Sequence, residues 1–464
     1  MTIPARHEPS LKRYIERLKT ENKRRFMESR NASGISLTVV ASSGWQRPWI
    51  AAAICCAFLA FAVPAGADSE TAPFLSKLVR ANEHFGRVLL ERIHRDAPQH
   101  NVVVSPISLT ITFAAVHQGC WNTPCGEEIG SAFGWGPYPY VTIPARMLLA
   151  AFEGPEQIQA APIPKGPVSR LPGISTESPE EAWINNVVLY RSKDPRSGLD
   201  LAPFADEFVA SATKYFGMKF VDTGKYQPTA ADLRAVRKSV GRLPTMSAMN
   251  DVWISSGMHL RTAWSGNTFS LNRPFTGEFR TASGDSRKVE MITSELTQYP
   301  HAKTDSFEAV ILPCRSAYLI AVVPAIGKDI HELERELANS PEALDEALKP
   351  EIGIVTMPTF HIVSDKNLRP KFEELGVRKA FQDLGYMMTI PKSHLTEVAQ
   401  RIDIQVDTSG IRADAETVTG AVYGGIMAGE PFRMKIDRPF LFLIRDRNVN
   451  ALLFLGAVMD PSHR

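Results

Sequence analysis

The stretch VDTSGIRADAETVTGAVYGGIMAGE, residues Val406–Glu430, is a long segment of small and polar residues with four glycines after Gly410. It stands between two predicted β-strands, IDIQV before it and FRMKI after it. A connection of this length without regular structure is uncommon in a compact domain and is usually functional. This segment is therefore the first candidate for a functional element.

The first half of the segment alternates with a period of two. One parity is small or apolar and the other is mostly charged: Ile411, Ala413, Ala415, Thr417 and Thr419 against Arg412, Asp414, Glu416 and Val418. Such alternation is typical of a half-buried strand. Narrow side chains suit a strand that must enter between two strands already packed. A flexible loop that is alanine-rich by chance is the alternative.

The sequence on either side of the segment predicts an α+β protein. Apolar residues at helical spacing predict a helix over 73–95. NVVVSPISL (Asn101–Leu109) predicts a short strand, after which Ser105 can cap a helix that begins with Pro106. From residue 250 onward most runs, such as AYLIAVVPA, are strand-forming. Helices therefore dominate the first half and sheets the second, which is an α+β arrangement.

The first 67 residues differ from the rest. A basic region is followed by the apolar run WIAAAICCAFLAFAV (Trp49–Val63) and by Ala65-Gly66-Ala67. This pattern predicts a secretory signal that is cleaved after Ala67 and a secreted or periplasmic protein. An uncleaved membrane anchor is the alternative, and Met27 is a possible true start. The predicted organisation is an N-terminal extension and signal peptide over 1–67 and one domain over 68–464.

Composition and motifs give no support for an enzyme or a nucleic-acid partner. The net charge of the 464 residues is +2, without the basic stripe of nucleic-acid-binding proteins. No serine lies in a G-x-S-x-G elbow, and no glycine-rich loop fits a phosphate site. HELER at His331 lacks the second histidine of a zinc-protease helix. We therefore predict no catalytic residue, metal or cofactor. The histidines are expected to lie on the surface or to be core residues whose hydrogen bonds are satisfied.

Three cysteines remain after removal of the signal. Cys120 and Cys125 can close a short disulfide loop in an exported compartment, and Cys314 would then stay free. Two free thiols are the alternative. The spacing of these cysteines is not a zinc pattern.

Several stretches in order resemble the serpin family, over roughly residues 73–462. They are NVVVSPISL, DVWISSGMHLRTAW, MPTFHIVSDKNLRPKFEELGVRKAF, LTEVAQRIDIQVDTSG, DRPFLFLIRD and ALLFLGAVMDP. The last two, at this distance from the end of the chain, are the most specific. The resemblance implies a metastable single domain with three β-sheets, about eight or nine helices and an exposed reactive-centre loop at about 410–431.

The resemblance also implies a function. Serpins act as suicide-substrate inhibitors: a serine protease cleaves the loop, and the freed segment inserts into the main sheet as a new strand. The implied partner is a serine protease, with a cysteine protease left open, and the protein would be a monomer without nucleic-acid or membrane partners after signal removal. A non-inhibitory serpin-fold binding or carrier protein is the alternative.

The family's loop roles fall on named residues here. Gly410 matches the hinge glycine, and the hinge continues through Ile411, Arg412, Ala413, Asp414, Ala415, Glu416 and Thr417. The scissile bond is bracketed by Tyr423, Gly424, Gly425, Ile426, Met427 and Ala428. Because no Arg or Lys occurs from Ala413 to Phe432, a chymotrypsin-, elastase- or subtilisin-like target is favoured over a trypsin-like one. Inhibitory members usually carry Thr or Ser where Ile411 stands.

The resemblance further implies a polar network beneath the sheet, called the shutter, and a breach tryptophan at its top. Ser105 and Ser108 match the shutter serines, and Trp264 matches the breach tryptophan. Ser256 and Gln400 stand where the family normally has asparagine and histidine. A gating role and a role as ordinary core hydrogen-bonding residues both remain open for these four shutter positions.

Overall fold

The computed structural model describes residues 72–120, 122–136, 141, 144–146, 148–149, 181–192, 203–222, 251–265, 268–269, 272–389, 392–412 and 430–462. The chain divides into two compact units, Met1–Ala65 and Gly66–Arg464. The first unit lies outside the described residues, so the signal segment and its cleavage after Ala67 stay predictions. None of the described helices combines the length and the apolar character that a membrane crossing requires.

Seven α-helices are bounded within the described residues. They are α1 (Ala72–Asp96), α2 (Pro106–Cys120), α3 (Pro124–Ala132), α4 (Asp206–Phe216), α5 (Ile330–Asn339), α6 (Glu342–Ala347) and α7 (Arg369–Glu374). Short 3-10 turns follow at Lys379–Phe381 and Gly385–Met387. The predicted first helix and the helix start at Pro106 are confirmed. Local sequence explains the start of α5, because Asp329 accepts a hydrogen bond from the His331 amide.

Six strands form the central sheet. In spatial order they are β11 (Phe360–Asn367), β12 (His394–Asp407), β13 (Gly410–Arg412), β4 (Asp251–Ala263), β2 (Glu181–Tyr190) and β3 (Lys219–Asp222). The strand β4 is buried along nearly its whole length. Three successive apolar residues near its start, Val252, Trp253 and Ile254, are all buried, as expected for a strand that is covered on both faces.

The other strands form a second, ten-stranded sheet. In order they are β1 (Val102–Val104), β16 (Leu452–Val458), β15 (Phe440–Asp446), β9 (Ala317–Pro324), β8 (Phe307–Pro313), β7 (Thr297–Lys303), β10 (Lys349–Pro358), β6 (Ser286–Thr293) and β5 (Phe275–Arg280), with β14 (Phe432–Lys435) beside β10. The α+β class is confirmed. Where the resemblance implies three sheets, the described strands form two hydrogen-bonded networks, because β10 pairs with β7 and then with β6.

The core lies between the sheets and around α2. All residues of β15 and β16 are buried, and so is α2 apart from Gln118 and Gly119. Aromatic rings pack at one side of this core, with Phe85 stacked on Phe133 at 4.0 Å and Phe113 on Phe372 at 4.4 Å. Because α2 is enclosed, its polar side chains must find hydrogen-bond partners inside the protein.

Candidate functional site

An opening in the central sheet separates the upper halves of β12 and β4. Lower down, these strands pair directly and in parallel, from His394 opposite Asp251 to Gln400 opposite Ser256. Above that point β13 lies between them and pairs antiparallel with both. The first residues of the loop segment are therefore already part of the sheet.

Ile411 and Gly410 occupy this opening. Ile411 pairs with Val406 on one side and Thr262 on the other, and it is 1% exposed. Gly410 has a φ of +139°, and a Cβ built on it would lie 2.2 Å from the carbonyl oxygen of Thr262. Both the backbone angle and the close approach exclude every residue except glycine at this position.

Trp264 holds the turn at the top of the opening. Its indole Nε1 donates to the carbonyl oxygen of Asp407 at 2.7 Å, and its ring packs on Phe269 with centroids 4.9 Å apart. The Asp407 carboxylate in turn accepts from the Ser409 amide at 2.7 Å. The structure thus places the predicted breach residue directly against the turn that precedes Gly410.

Gln400 is the centre of one buried network below the opening. Its Nε2 donates to the Ser105 carbonyl oxygen at 2.8 Å and to Ser108 Oγ at 2.9 Å, while its Oε1 accepts from the Ser105 amide at 3.2 Å. The predicted capping role of the Ser105 side chain is wrong. Its hydroxyl has no hydrogen-bond partner among the described residues, and its backbone groups make the contacts instead.

Two residues that the sequence did not single out complete the site. Asn186 lies opposite Ser256 in the pairing of β2 with β4, and its Oδ1 accepts from Ser256 Oγ at 3.0 Å. Thr112 Oγ1 lies 2.8 Å from both Asn186 Oδ1 and the Ser108 carbonyl oxygen. An asparagine amide therefore does stand beside the sheet junction, on the strand next to the one where the family pattern has it. The only signal in the sequence was a polar NN pair at the start of the apolar run VVLY.

The two cysteines predicted to pair lie at the end of α2 and the start of α3. Cys120 and Cys125 are buried thiols with their Sγ atoms 2.8 Å apart, and Cys314 is a third buried thiol. The hydrogen bond with Cys120 and burial both raise the pKa of Cys125. The structure thus brings the pair together as thiols, and their disulfide stays a prediction.

The far end of the loop segment enters the second sheet. The remaining hinge residues from Ala413 to Thr417 and all six scissile-bond candidates lie outside the described residues, and the chain is described again from Glu430. Phe432 then stacks on His301 with ring centroids 3.8 Å apart. His301 also contacts the carboxylates of Glu351 at 2.8 Å and Glu308 at 3.2 Å. Burial opposes its charge, but these two carboxylates prevail and raise the pKa of His301.

One protein family matches the sequence. Its profile is described as serpin (serine protease inhibitor) and covers residues 234–461. Serpin-Z10 of Arabidopsis thaliana is 24% identical over 227 residues, which are 45% of this chain and 57% of the relative. Serpin A12 of Mus musculus is 23% identical over 408 residues, which are 83% of this chain and 89% of the relative. The chain spans about half the length of several curated relatives that it matches.

Solved structures share the architecture. Human thyroxine-binding globulin in complex with thyroxine matches with a TM-score of 0.67 at 17% identity, over 84% of this chain and all of that one. Native protease nexin-1 with heparin matches with a TM-score of 0.63 at 16% identity, over 83% of this chain and 99% of that one. The central sheet with its hinge strand is thus the serpin fold.

The chain belongs to the serpin family. Members of this family are typically protease inhibitors rather than enzymes, and some, such as thyroxine-binding globulin, do not inhibit.

Proposed function

We propose that the protein is an exported, monomeric suicide-substrate inhibitor of a serine protease. The observation that carries the proposal is β13, which lies between β12 and β4 in the intact chain. A segment whose first residues are already paired on both sides can continue downward as a full strand once its far end is released. Cleavage between residues 413 and 429 would provide that release.

The chemistry begins at the target enzyme. Its serine oxygen attacks the carbonyl carbon of the scissile residue, an ester bond forms, and the peptide C–N bond breaks, with the new amine leaving on the C-terminal fragment. The ester now joins the protease to the segment that starts at Gly410. If this segment inserts before water hydrolyses the ester, the protease is carried along the sheet and stays acylated.

Insertion has a cost and a gain within the central sheet. The direct pairing from His394 to Gln400 with β4 must open, and the new strand then pairs with both neighbours. About a dozen inserted residues at roughly 1 kcal/mol each contribute on the order of ten kcal/mol. This is comparable with the total stability of a domain, and it is enough to distort a bound enzyme.

The loop sequence indicates the class of target. The segment from Ala413 to Phe432 contains no Arg or Lys, which a trypsin-like pocket needs. Tyr423 or Met427 would instead fit a chymotrypsin-, elastase- or subtilisin-like pocket. A cysteine protease would form a thioester by the same sequence of steps.

The alternative is a serpin-fold binding or carrier protein that does not trap proteases. Ile411 supports it, because inhibitory members usually carry Thr or Ser there and this bulkier residue is already buried in the intact sheet. The sequence Gly424-Gly425, which gives a protease no side chain to bind, supports it further. Thyroxine-binding globulin, which shares this fold, binds thyroxine.

Incubation of the full chain with elastase, chymotrypsin or subtilisin tests the two functions. Inhibition predicts a complex with the protease that resists SDS, and mass spectrometry of the released C-terminal fragment then gives the scissile bond. Clean loop cleavage by all three enzymes, without a complex and without a rise in melting temperature, would favour the carrier function.

A matched pair of variants makes this experiment specific for insertion. By alternation Thr417 belongs to the side that becomes buried, and Glu416 to the solvent side. Thr417→Arg should therefore turn the inhibitor into a substrate of elastase, whereas Glu416→Arg should still form the complex. N-terminal sequencing of the exported protein should begin at Asp68 if the signal is cleaved as predicted.

A further inference from the structure

Two histidines and a glutamate from separate helices meet at the end of α1. His94 lies in the last turn of α1, and His331 and Glu334 lie in the first turns of α5. His94 Nδ1 is 2.6 Å from Glu334 Oε1, and His331 Nδ1 is 3.4 Å from Glu334 Oε2. One potential ligand atom from each residue lies within 4.8 Å of the other two. α1 thus supplies the second histidine that the HELER motif lacks.

The hydrogen bonds of His331 leave a lone pair facing a carboxylate. Its Nε2 lies 3.2 Å from the Pro98 carbonyl oxygen, which can only accept, so this nitrogen carries a proton. In a neutral imidazole the other nitrogen, Nδ1, is then an acceptor. It faces Glu334 Oε2, which is also an acceptor when ionised. A cation must lie between two such atoms, either a proton or a metal ion.

His94 has a nitrogen without any partner. Its side chain is fully buried at 0% exposure, and its Nε2 makes no hydrogen bond within the part of the chain that the structure describes. Its ring centroid lies 4.3 Å from that of His331. Buried polar atoms are nearly always satisfied, and each exception needs an explanation such as an ion. An ion bound by Nε2 would satisfy this nitrogen, while Nδ1 keeps its contact with Glu334 Oε1.

We propose that His94, His331 and Glu334 form a Zn²⁺ site. Imidazole nitrogens and a carboxylate oxygen are ligands that Zn²⁺ prefers, and three protein ligands commonly leave a fourth position for water. The cluster borders a cleft of about 880 Å³ whose lining includes Pro98, Lys328 and His331. His331 is 29% exposed, whereas the other two ligands are buried, so the ion enters from the His331 side. Bound Zn²⁺ would join the end of α1 to α5 and stabilise the native state.

Calorimetric titration of ZnCl₂ into the full, untagged, chelator-treated protein tests the proposal. We expect one Zn²⁺ per chain, a melting temperature that rises with Zn²⁺ concentration, and visible d–d absorption when Co²⁺ replaces Zn²⁺. His331→Ala and Glu334→Gln should each weaken binding by at least about tenfold. His361→Ala is the matched control. His361 lies on β11, away from the cluster, and contacts Asp403 of β12 at 2.7 Å, so this variant should bind Zn²⁺ as the wild type does.

His331→Ala is the decisive variant because its side chain is partly exposed and its loss leaves the buried His94–Glu334 pair intact. Circular dichroism and the metal-free melting temperature establish that the variant is folded. The proposal is overturned if the wild type binds no Zn²⁺, in which case a proton lies between His331 and Glu334. It is overturned equally if Zn²⁺ binding persists unchanged in both variants.

Discussion

Gln400 and Ser256 lie opposite each other and are the last residues of β12 and β4 that pair directly before the opening begins. Both belong to one buried network, in which Gln400 binds the backbone of Ser105 and the hydroxyl of Ser108, and Ser256 donates to the amide oxygen of Asn186. Thr112 joins the two halves, because its Oγ1 lies within hydrogen-bond distance of both Asn186 Oδ1 and the Ser108 carbonyl oxygen. Any strand that enters the sheet beyond β13 must separate this pair first. This network therefore sets the resistance to opening at one point of the sheet.

Gln400→Ala should weaken this point. The substitution leaves the buried amide of Ser105 without a partner and removes one hydrogen bond each from the Ser105 carbonyl oxygen and the Ser108 hydroxyl, which still bind each other. The expected cost is about 2–3 kcal/mol. We expect a lower melting temperature and faster amide hydrogen exchange in β12 over 394–400. Gln405→Ala is the control on the same strand, because within the described part of the chain the side-chain amide of Gln405 contacts the half-buried Asp407, at 3.2 Å, and no buried group. If amide hydrogen exchange in β12 is equally fast in the two variants, the network around Gln400 does not control the opening of the sheet.

Gly410→Ala should displace β13 from the sheet. The new methyl group would collide with the Thr262 carbonyl, and the positive φ would add strain of about 1–3 kcal/mol. The intact variant should be cut faster by a broad-specificity protease near residue 410, and the fluorescence of Trp264 should change. Gly376→Ala separates strain from collision, since Gly376 also has a positive φ, +94°, but open space around it. Similar effects of both substitutions would argue against the close approach as the cause.

Cys120 and Cys125 should form a disulfide in the exported protein. Their sulfur atoms already lie 2.8 Å apart, and closing such a short loop stabilises by about 2 kcal/mol. Because the raised pKa of Cys125 disfavours its thiolate, oxidation in air should be slow and should require a thiol–disulfide catalyst. Thiol titration of the unfolded mature protein should find one reactive thiol, from Cys314, instead of three. Three thiols, or no change in melting temperature with dithiothreitol, would contradict this.

His117 should make the protein sensitive to acid. Burial lowers the pKa of His117 from 6.5 to about 4, so between these values the unfolded chain binds a proton that the folded chain does not. Its contribution to stability is constant above pH 6.5, falls as the pH drops below it, and reaches its minimum near pH 4. Between about pH 7.5 and about pH 5 the loss is about 2 kcal/mol.

Urea unfolding of His117→Gln at these two pH values measures this contribution. Gln stays neutral throughout, so the variant should lose about 2 kcal/mol less than the wild type on acidification. His361→Gln is the control, because the histidine that it replaces is partly exposed on β11. A wild-type pH dependence in the His117 variant would assign the acid sensitivity to other groups.

Sequence patterns were sufficient where the cause is local. The alternation after Gly410 predicted a half-buried strand, and within the described residues Gly410–Arg412 form the strand β13. Pro106 predicted the start of α2 because its fixed φ and missing N–H suit a first helical turn. The shutter and breach positions came from resemblance to a family, and the structure places Gln400, Ser105 and Ser108 in one network.

The remaining features depend on contacts between distant parts of the chain. Nothing local marks Asn186 as the partner of Ser256, because that contact depends on the pairing of β2 with β4. The sequence predicted Ser105 as a helix cap, but in the structure its backbone amide and carbonyl bind the side chain of Gln400. The meeting of His94 with His331 and Glu334 depends on how α1 packs against α5. Sequence spacing carries no information on any of these three contacts.

The burial of Ile411 in the intact protein has a consequence for alignment. A strand that joins a sheet from solution must find its pairing register, and a slip by one residue would turn every side chain to the opposite face. Here the pairing of Ile411 with Val406 and Thr262 fixes that choice before any bond is cut. Further pairing would then proceed one residue at a time from an existing nucleus, so its speed would depend on how fast β12 and β4 separate and not on a search for the correct match.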